Sequence, residues 1–374
     1  MVAGEHDAQQ GVPGDAQQRR CACCCAPLNP GVGRRTMRPA MGPVSVRHYP
    51  RGTRASALVL AAILSVASSH PCAADYPSRT VTIIVPYAPG ASTDAQARQI
   101  AKGLSERLGK PVVVENRAGA GGRIAASMAA RAAPDGHTLL FGTLSTLVLE
   151  ALLRTNIGYD PQRDFAPITL IAEAPLVLVV SSSLPVRSIA DLLAYARKPS
   201  VNLTYATPGP GTAAHLLSEM FKASAHIQAI HVPYKGAAPA LTDLLGGQVS
   251  MMFTTVQTAG SQIRSEKVRA LGVTGSERVA ALPQVPTFAE AGLKRVDLQI
   301  WYAVVAPAKT PADIIGRLHK EITAVAKSPE FMRSATTEGA IVIASSQHDL
   351  AKRIQSDSES VQRLIKETNF KLEE

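Results

Sequence analysis

The sequence predicts an α/β protein with mainly parallel sheets. Three observations carry that expectation. Strand-like and helix-like segments alternate nearly throughout the chain after residue 80. Val81–Tyr87 is an apolar, β-rich run that passes through the small-residue turn Ala88–Thr93 into a helical segment ending at Leu108. The same device recurs at Thr204–Ala213, where strand, Pro/Gly loop and helix start follow one another again.

In the first helix Ala97, Ile100, Ala101, Leu104 and Leu108 share one face at 3.6-residue spacing. Ser92, Thr93 or Asp94 is expected to cap its start, and Gly109-Lys110-Pro111 to stop it. Strand Val112–Glu115, the loop Asn116–Gly122 and a small-residue helix to Ala133 follow. Strands are then expected at Thr138–Gly142, Pro167–Ala172 and Leu176–Ser181, the last two around Pro175. Ser188-Ile-Ala-Asp191 reads as a capping box. Strands at Asn202–Ala206, Ile227–Tyr234, Val249–Thr254, Val268–Thr274 and Gln299–Ala306 alternate with helices up to the last of these strands, which holds the single Trp. Thr310-Pro311-x-Asp313 starts a helix, and two more helices close the chain.

The N-terminal part reads as a leader. Arg47, Arg51 and Arg54 precede the apolar run Ala55–Ala67, which is too short to span a bilayer, and Cys72-Ala73-Ala74 supplies small residues for cleavage. Cleavage after Ala74 is expected, with export to the periplasm, so residues 1–74 form an extension and signal peptide; Met37 or Met41 would give a signal of ordinary length. All five Cys (21, 23, 24, 25 and 72) precede residue 75, which suits an exported protein that avoids mispairing. The first 74 residues hold eight of the 39 basic and three of the 29 acidic residues, leaving 31 against 26. The formal +10 therefore falls to about +5, with Lys and Arg scattered and aromatics few, which argues against a nucleic-acid partner. The remaining 300 residues suit two medium domains.

Strand–loop–helix junctions leave backbone N–H groups free at a helix start, where the helix dipole also favours an anion. Two such junctions could face one another across a cleft and hold a ligand with carboxylate ends. Enzyme motifs are weak by comparison. Gly209-Pro-Gly211-Thr-Ala-Ala214 fits a dinucleotide loop, but no acid stands at Gln228–His231, and behind Gly119-Ala-Gly121-Gly122 that position is Leu139-Leu140. The chain has no GxxxxGK[ST], GxSxG or HExxH. No cofactor, metal or catalytic residue is therefore expected. His215 lies one turn into the second helix, within reach of a ligand or simply packed; Asp94 caps its helix or orders the loop; Glu115-Asn116-Arg117 reads as a structural network.

In order, the chain carries Val85-Pro-Tyr87-Ala-Pro-Gly-Ala-Ser-Thr-Asp94, Val114-Glu-Asn-Arg-Ala-Gly-Ala-Gly-Gly122, Tyr205–His215, His231-Val-Pro-Tyr-Lys-Gly236, Asp243–Val249, Leu282-Pro-x-Val-Pro-Thr-Phe288 and Trp301-Tyr302 before Ala306-Pro307. From about Tyr76 onward this set closely resembles the Bug-type extracytoplasmic solute receptors of tripartite tricarboxylate transporters. The resemblance implies a two-domain periplasmic-binding-protein (Venus flytrap, type II) fold with the ligand cleft between the domains. It implies one domain of residues 75–173 plus 299–374 and another of 174–298, with hinges near Ala172–Leu176 and Asp297–Trp301. It further implies a monomeric receptor that captures a small organic carboxylate and hands it to membrane permease subunits or a sensor kinase. An exported α/β enzyme acting on a small carboxylate is the alternative. The residues expected to meet the ligand are Tyr87, Ala88, Pro89, Gly90, Ala91, Ser92, Thr93 and Asp94 on one wall. Thr207, Pro208, Gly209, Gly211, Thr212 and His215 are expected on the other, with Ser145, Thr254 and Trp301; Trp301 reads equally as hinge packing. Two departures from the family pattern are Ala91, where a second Gly is usual, and Thr254, where many members carry an acid, which argues for a ligand without an amine.

Overall fold

The computed structural model describes Ser45, residues 76–337 and residues 339–368. The expected leader, its cysteines and its cleavage point lie outside the described residues, Ser45 excepted. The described residues from 76 onward belong to one compact unit.

Two mixed sheets organise this unit. The first six elements are β1 (Val81–Val85), α1 (Ser92–Leu108), β2 (Val112–Asn116), α2 (Arg123–Ala130), β3 (Thr138–Thr143) and α3 (Glu150–Leu153), the last continuing a π-helical turn at Ser145–Leu149. Next come β4 (Phe165–Ala174), β5 (Leu176–Ser181), α4 (Ile189–Ala196), β6 (Thr204–Thr207), α5 (Ala213–Ala225) and β7 (Ile230–Pro233). The chain continues through α6 (Ala237–Leu245), β8 (Met251–Thr255), α7 (Val256–Arg264) and β9 (Val268–Val273). It ends with β10 (Ile300–Pro307), α8 (Ala312–Ala326), α9 (Pro329–Thr337), β11 (Ile341–Val342) and α10 (Gln347–Thr368). Strand order is β11-β4-β10-β3-β1-β2 in one sheet and β7-β6-β8-β5-β9 in the other. The chain thus leaves the six-stranded sheet at Ala174, enters the five-stranded sheet at Leu176, and returns only at Ile300.

The sheets are less parallel than the alternation of elements predicts. β1 pairs in parallel with β2 and β3, and β6 with β7 and β8. β5 runs antiparallel to β8 and β9, β10 to β3 and β4, and β11 to β4. Helical crossovers enforce parallel pairing only within each run of βα units. The strands that carry the chain between sheets have no such crossover and return in the opposite direction.

Apolar continuity in β1 follows from burial of both its faces. Val81, Ile83 and Val85 pack with Ile100 and Leu104 of α1 and Leu318 and Ile322 of α8, while Ile84 joins a second cluster with Leu140, Leu147 and Trp301. The stripe predicted on α1 is the buried one, and Gly109 closes the helix with φ 67°, its N–H bonded to Ser105 O. Its start differs from expectation. Ala91 is the N-cap and no side chain caps the helix. Asp94 reaches back to the Gly90 N–H instead (3.1 Å). At α4, by contrast, the Ser188 hydroxyl accepts from Asp191 N as predicted, and Asp191 accepts from Arg187 N.

Trp301 lies in the cluster of buried apolar side chains that runs from one sheet into the other. It is fully buried in β10, and its Nε1–H donates to Asp357 Oδ2 of α10 at 2.7 Å. Asp357 also accepts from Arg353, which in turn reaches Glu173 at 2.9 Å. Trp301→Phe keeps an aromatic ring but loses this charge-assisted bond and part of the packed volume, so urea unfolding should show a loss of at least about 1.5–3 kcal/mol.

Candidate functional site

Loops that precede α1 and α5 reach the same cavity from opposite sheets. The cavity is small, about 60 Å³. Tyr87, Ala91, Ser92, Thr93, Thr143, Ser145, Ile300 and Tyr302 line it from the six-stranded half. Pro208, Thr212, Ala213, Ala214, Ala237, Phe253, Thr254, Thr255 and Thr258 line it from the five-stranded half. Among the described residues that line it there is no Lys, Arg, His, Asp or Glu. Its polarity comes from hydroxyls and backbone N–H groups. Ser92 Oγ and the Tyr302 hydroxyl are 2.8 Å apart, and the Tyr87 hydroxyl lies 3.3 Å from Thr143 Oγ1. Burial raises the Tyr87 phenol above its ordinary value, against hydrogen bonds from Ser145 and Thr143, so it stays neutral.

The helix starts are arranged symmetrically. Ser92 N–H donates across the cleft to Thr258 Oγ1 (3.2 Å), and Ala213 N–H donates back to Ser145 Oγ (3.0 Å). The next N–H of each helix, on Thr93 and Ala214, donates to no acceptor among the described residues. Thr254 Oγ1 is likewise buried without a partner. Further bonds join the halves beside the cavity: Ala88 N–H to Lys235 O (2.9 Å) and Gln96 Nε2 to Gln257 Oε1 (3.1 Å).

Each loop is braced by groups behind it. Asp94 accepts from Gly90 N–H, Arg98 Nε (3.0 Å) and Asn116 Nδ2 (2.9 Å). Burial pushes its carboxyl up, but these bonds outweigh burial and hold it below the usual value. Asn116 also donates to Tyr87 O, so the Glu115-Asn116-Arg117 stretch serves the loop as a structural network. In the second loop the His215 and His231 rings stack with centroids 4.0 Å apart, and Tyr205 stacks on His231 at 4.9 Å. His215 Nδ1 accepts from Gly211 N–H, and His231 Nε2 lies 2.7 Å from Thr207 Oγ1. Tyr205 donates to Glu219, which also pairs with Lys222. Burial, together with His231, pushes His215 down to about 3; burial pushes His231 down to about 4.

Of the residues singled out from the sequence, Tyr87, Ala91, Ser92, Thr93, Ser145, Pro208, Thr212 and Thr254 stand on the cavity wall. Ala88, Pro89, Gly90, Asp94, Thr207, Gly209, Gly211, His215 and Trp301 do not. Ala88 bonds the opposite half, Gly90, Gly211 and Thr207 shape their loops, and Asp94 and His215 brace them. Sequence reasoning did not single out Thr143, Leu144, Leu176, Ala213, Ala214, Ala237, Phe253, Thr255, Thr258, Ile300 or Tyr302. Strand alternation is the signal that separates Ile300 and Tyr302 from Trp301 between them. Nothing in the sequence marks Thr258.

Two mixed sheets, a chain that passes twice between them and a cavity enclosed by both make this the fold of a periplasmic binding protein, a type II Venus flytrap. The chain belongs to the tripartite tricarboxylate transporter family receptors, whose family model matches residues 96–370. Among solved structures, the periplasmic binding protein BugD is 34% identical, with TM-score 0.77, covering 79% of this chain and 99% of its own. Rpa4515 of R. palustris, solved with adipate, is 35% identical, with TM-score 0.76 and coverage of 79% and 98%. MatC of Rhodopseudomonas palustris, solved with bound malate, is 32% identical, with TM-score 0.75 and coverage of 78% and 100%. Nearly the whole length of each of these three relatives is matched.

Both loop histidines are held neutral in the fold, whereas an unfolded chain protonates them near 6.5. The unfolded state thus binds more protons below 6.5, and the stability present above 6.5 is lost as pH falls toward 4 and then 3. The melting temperature should fall between pH 7 and pH 5. His215→Gln should flatten that fall while lowering the melting temperature at pH 7.

Proposed function

We propose that this receptor captures a small organic carboxylate in the periplasm and delivers it to the permease of a tripartite transporter. The observation that carries this reading is the pair of unpartnered N–H groups, Thr93 and Ala214, at two helix starts in one cavity. A helix start favours an anion through its dipole and its free donors. Each dipole contributes about 0.3–1 kcal/mol at an exposed site, and direct N–H bonds in a water-excluded cleft add to that. The hydroxyls of Ser92, Thr212 and Tyr302 can complete the shell, and Thr254 Oγ1 offers one neutral hydrogen bond to another part of the ligand. With no acid on the wall, an ammonium group finds no counter-charge. Adipate and malate in related receptors support the carboxylate class.

The cavity is walled by both halves, so capture requires them to part and close again. We place the domain boundaries at 75–173 plus 299–374 and at 174–298, supported by the passage of the chain through Pro175 and back at Ile300.

A thermal-shift panel of mono-, di- and tricarboxylates, hydroxy acids and amino acids tests the reading on residues 75–374. A ligand at 100 times its Kd adds about 2.7 kcal/mol of stability. At least one carboxylate should raise the melting temperature by several degrees, and amino acids should not. No shift with any carboxylate would refute the reading. Thr254→Val is nearly isosteric, so the fold should hold. Calorimetry with the best ligand should show about a fivefold loss of affinity, the equivalent of one hydrogen bond near 1 kcal/mol. Unchanged affinity would remove Thr254 from the site.

A further inference from the structure

The glycine loop Ala120–Gly122 takes no part in the cavity wall. It is a surface on which the halves meet. Gly121 has φ 67°, and a Cβ built there would collide with the Pro210 carbonyl of the opposite half and with Glu150 Oε1 of its own. A Cβ on Gly209 would stand 3.3 Å from the Gly121 backbone. The halves therefore touch glycine to glycine, and the Glu150 side chain lies directly behind the contact with no exposed surface. Neither of its carboxyl oxygens has a hydrogen-bond partner among the described residues. Arg154 Nε forms an ion pair with Oε2 at 3.3 Å. The charged and titratable groups around Glu150 are Arg154 just beyond its own helix, Arg123 at the start of α2, Tyr159 in the connection to β4, and Tyr87 after β1. Burial outweighs both arginines and raises the carboxyl from 4.5 to about 7. The Pro210 carbonyl of the opposite half also occupies the space beside Gly121, so the buried carboxyl lies next to the contact between the halves.

We propose that closure of the two halves traps Glu150 as the neutral acid, so that ligand capture takes up a proton. Parting the halves removes Pro210 from Gly121 and lets water reach the carboxyl, which then titrates near its ordinary value. The closed form binds more protons than the open form between about 4.5 and about 7. Closure is therefore most favoured below that window, weakens as pH rises through it, and is level above it. This coupling rests on the movement of the halves and not on which ligand is bound.

A ligand-free test is available because residues 75–374 contain no cysteine. The relatives match that stretch over nearly their whole length, so it can be expressed alone. Q96C and Q257C place a thiol pair where two side chains meet across the cleft. A short bifunctional thiol reagent, its attachment confirmed by mass, holds the halves closed. Carbon-13 carboxyl NMR of the glutamate-labelled, linked protein should show one glutamate titrating near 7. That signal should be missing in E150Q and in E150D, and in the unlinked protein its midpoint should move toward 4.5. Glutamates that all titrate in the ordinary range in the linked protein would mean Glu150 stays ionised against Arg154, and would overturn the proposal. An identical midpoint with and without the link would overturn the coupling to closure.

Discussion

Everything in the cleft answers to one constraint: two helices begin there, and the first N–H groups of a helix have no acceptor within it. At both starts one such group is satisfied by a hydroxyl of the opposite half, Thr258 for Ser92 and Ser145 for Ala213. The neighbouring group, on a residue of the cavity wall, has no acceptor among the described residues. The result is an electropositive pocket with no cation in its wall. Such a pocket loses little side-chain entropy when an anion enters, because its donors are already fixed in the backbone.

Fixed donors require fixed loops, and the two loops achieve this with different chemistry. The first is tied by an ionised carboxylate, Asp94, which collects bonds from backbone, amide and guanidinium. The second is tied by neutral aromatic stacking, with His215 and His231 ring on ring and each carrying one bond to the loop. A carboxylate braced in this way keeps its charge into acid, while stacked imidazoles keep their geometry only while uncharged. The two sides of the cleft therefore differ in how they meet a falling pH.

Small residues set how closely the halves approach. Gly121 meets Gly209 and Pro210, and Gly236 would bring a Cβ within 3.0 Å of Ala88 N. Larger side chains at these points would hold the cleft ajar and stretch the bonds from Ala88 to Lys235 and from Ser92 to Thr258. Glu150, fully buried, lies directly behind the Gly121 contact.

The sequence by itself determined the elements and the two strand–loop–helix junctions, because apolar periodicity and Gly/Pro punctuation are local properties of the chain. The buried stripe of α1, the Gly109 stop and the Ser188 cap were legible in this way. Only the tertiary structure decided which side of each loop faces the ligand. Asp94 and His215 sit one turn into their helices, a place that suits a ligand contact and a brace equally, and only their long-range partners Asn116 and His231 tell the two apart. Trp301 drew notice as the single Trp, yet the pleat of β10 turns Ile300 and Tyr302 to the cavity and sends the indole to Asp357, 56 residues away. Thr258, Ser145 and Glu150 take their roles from contacts between the two halves, and contacts of that range leave no trace in local pattern.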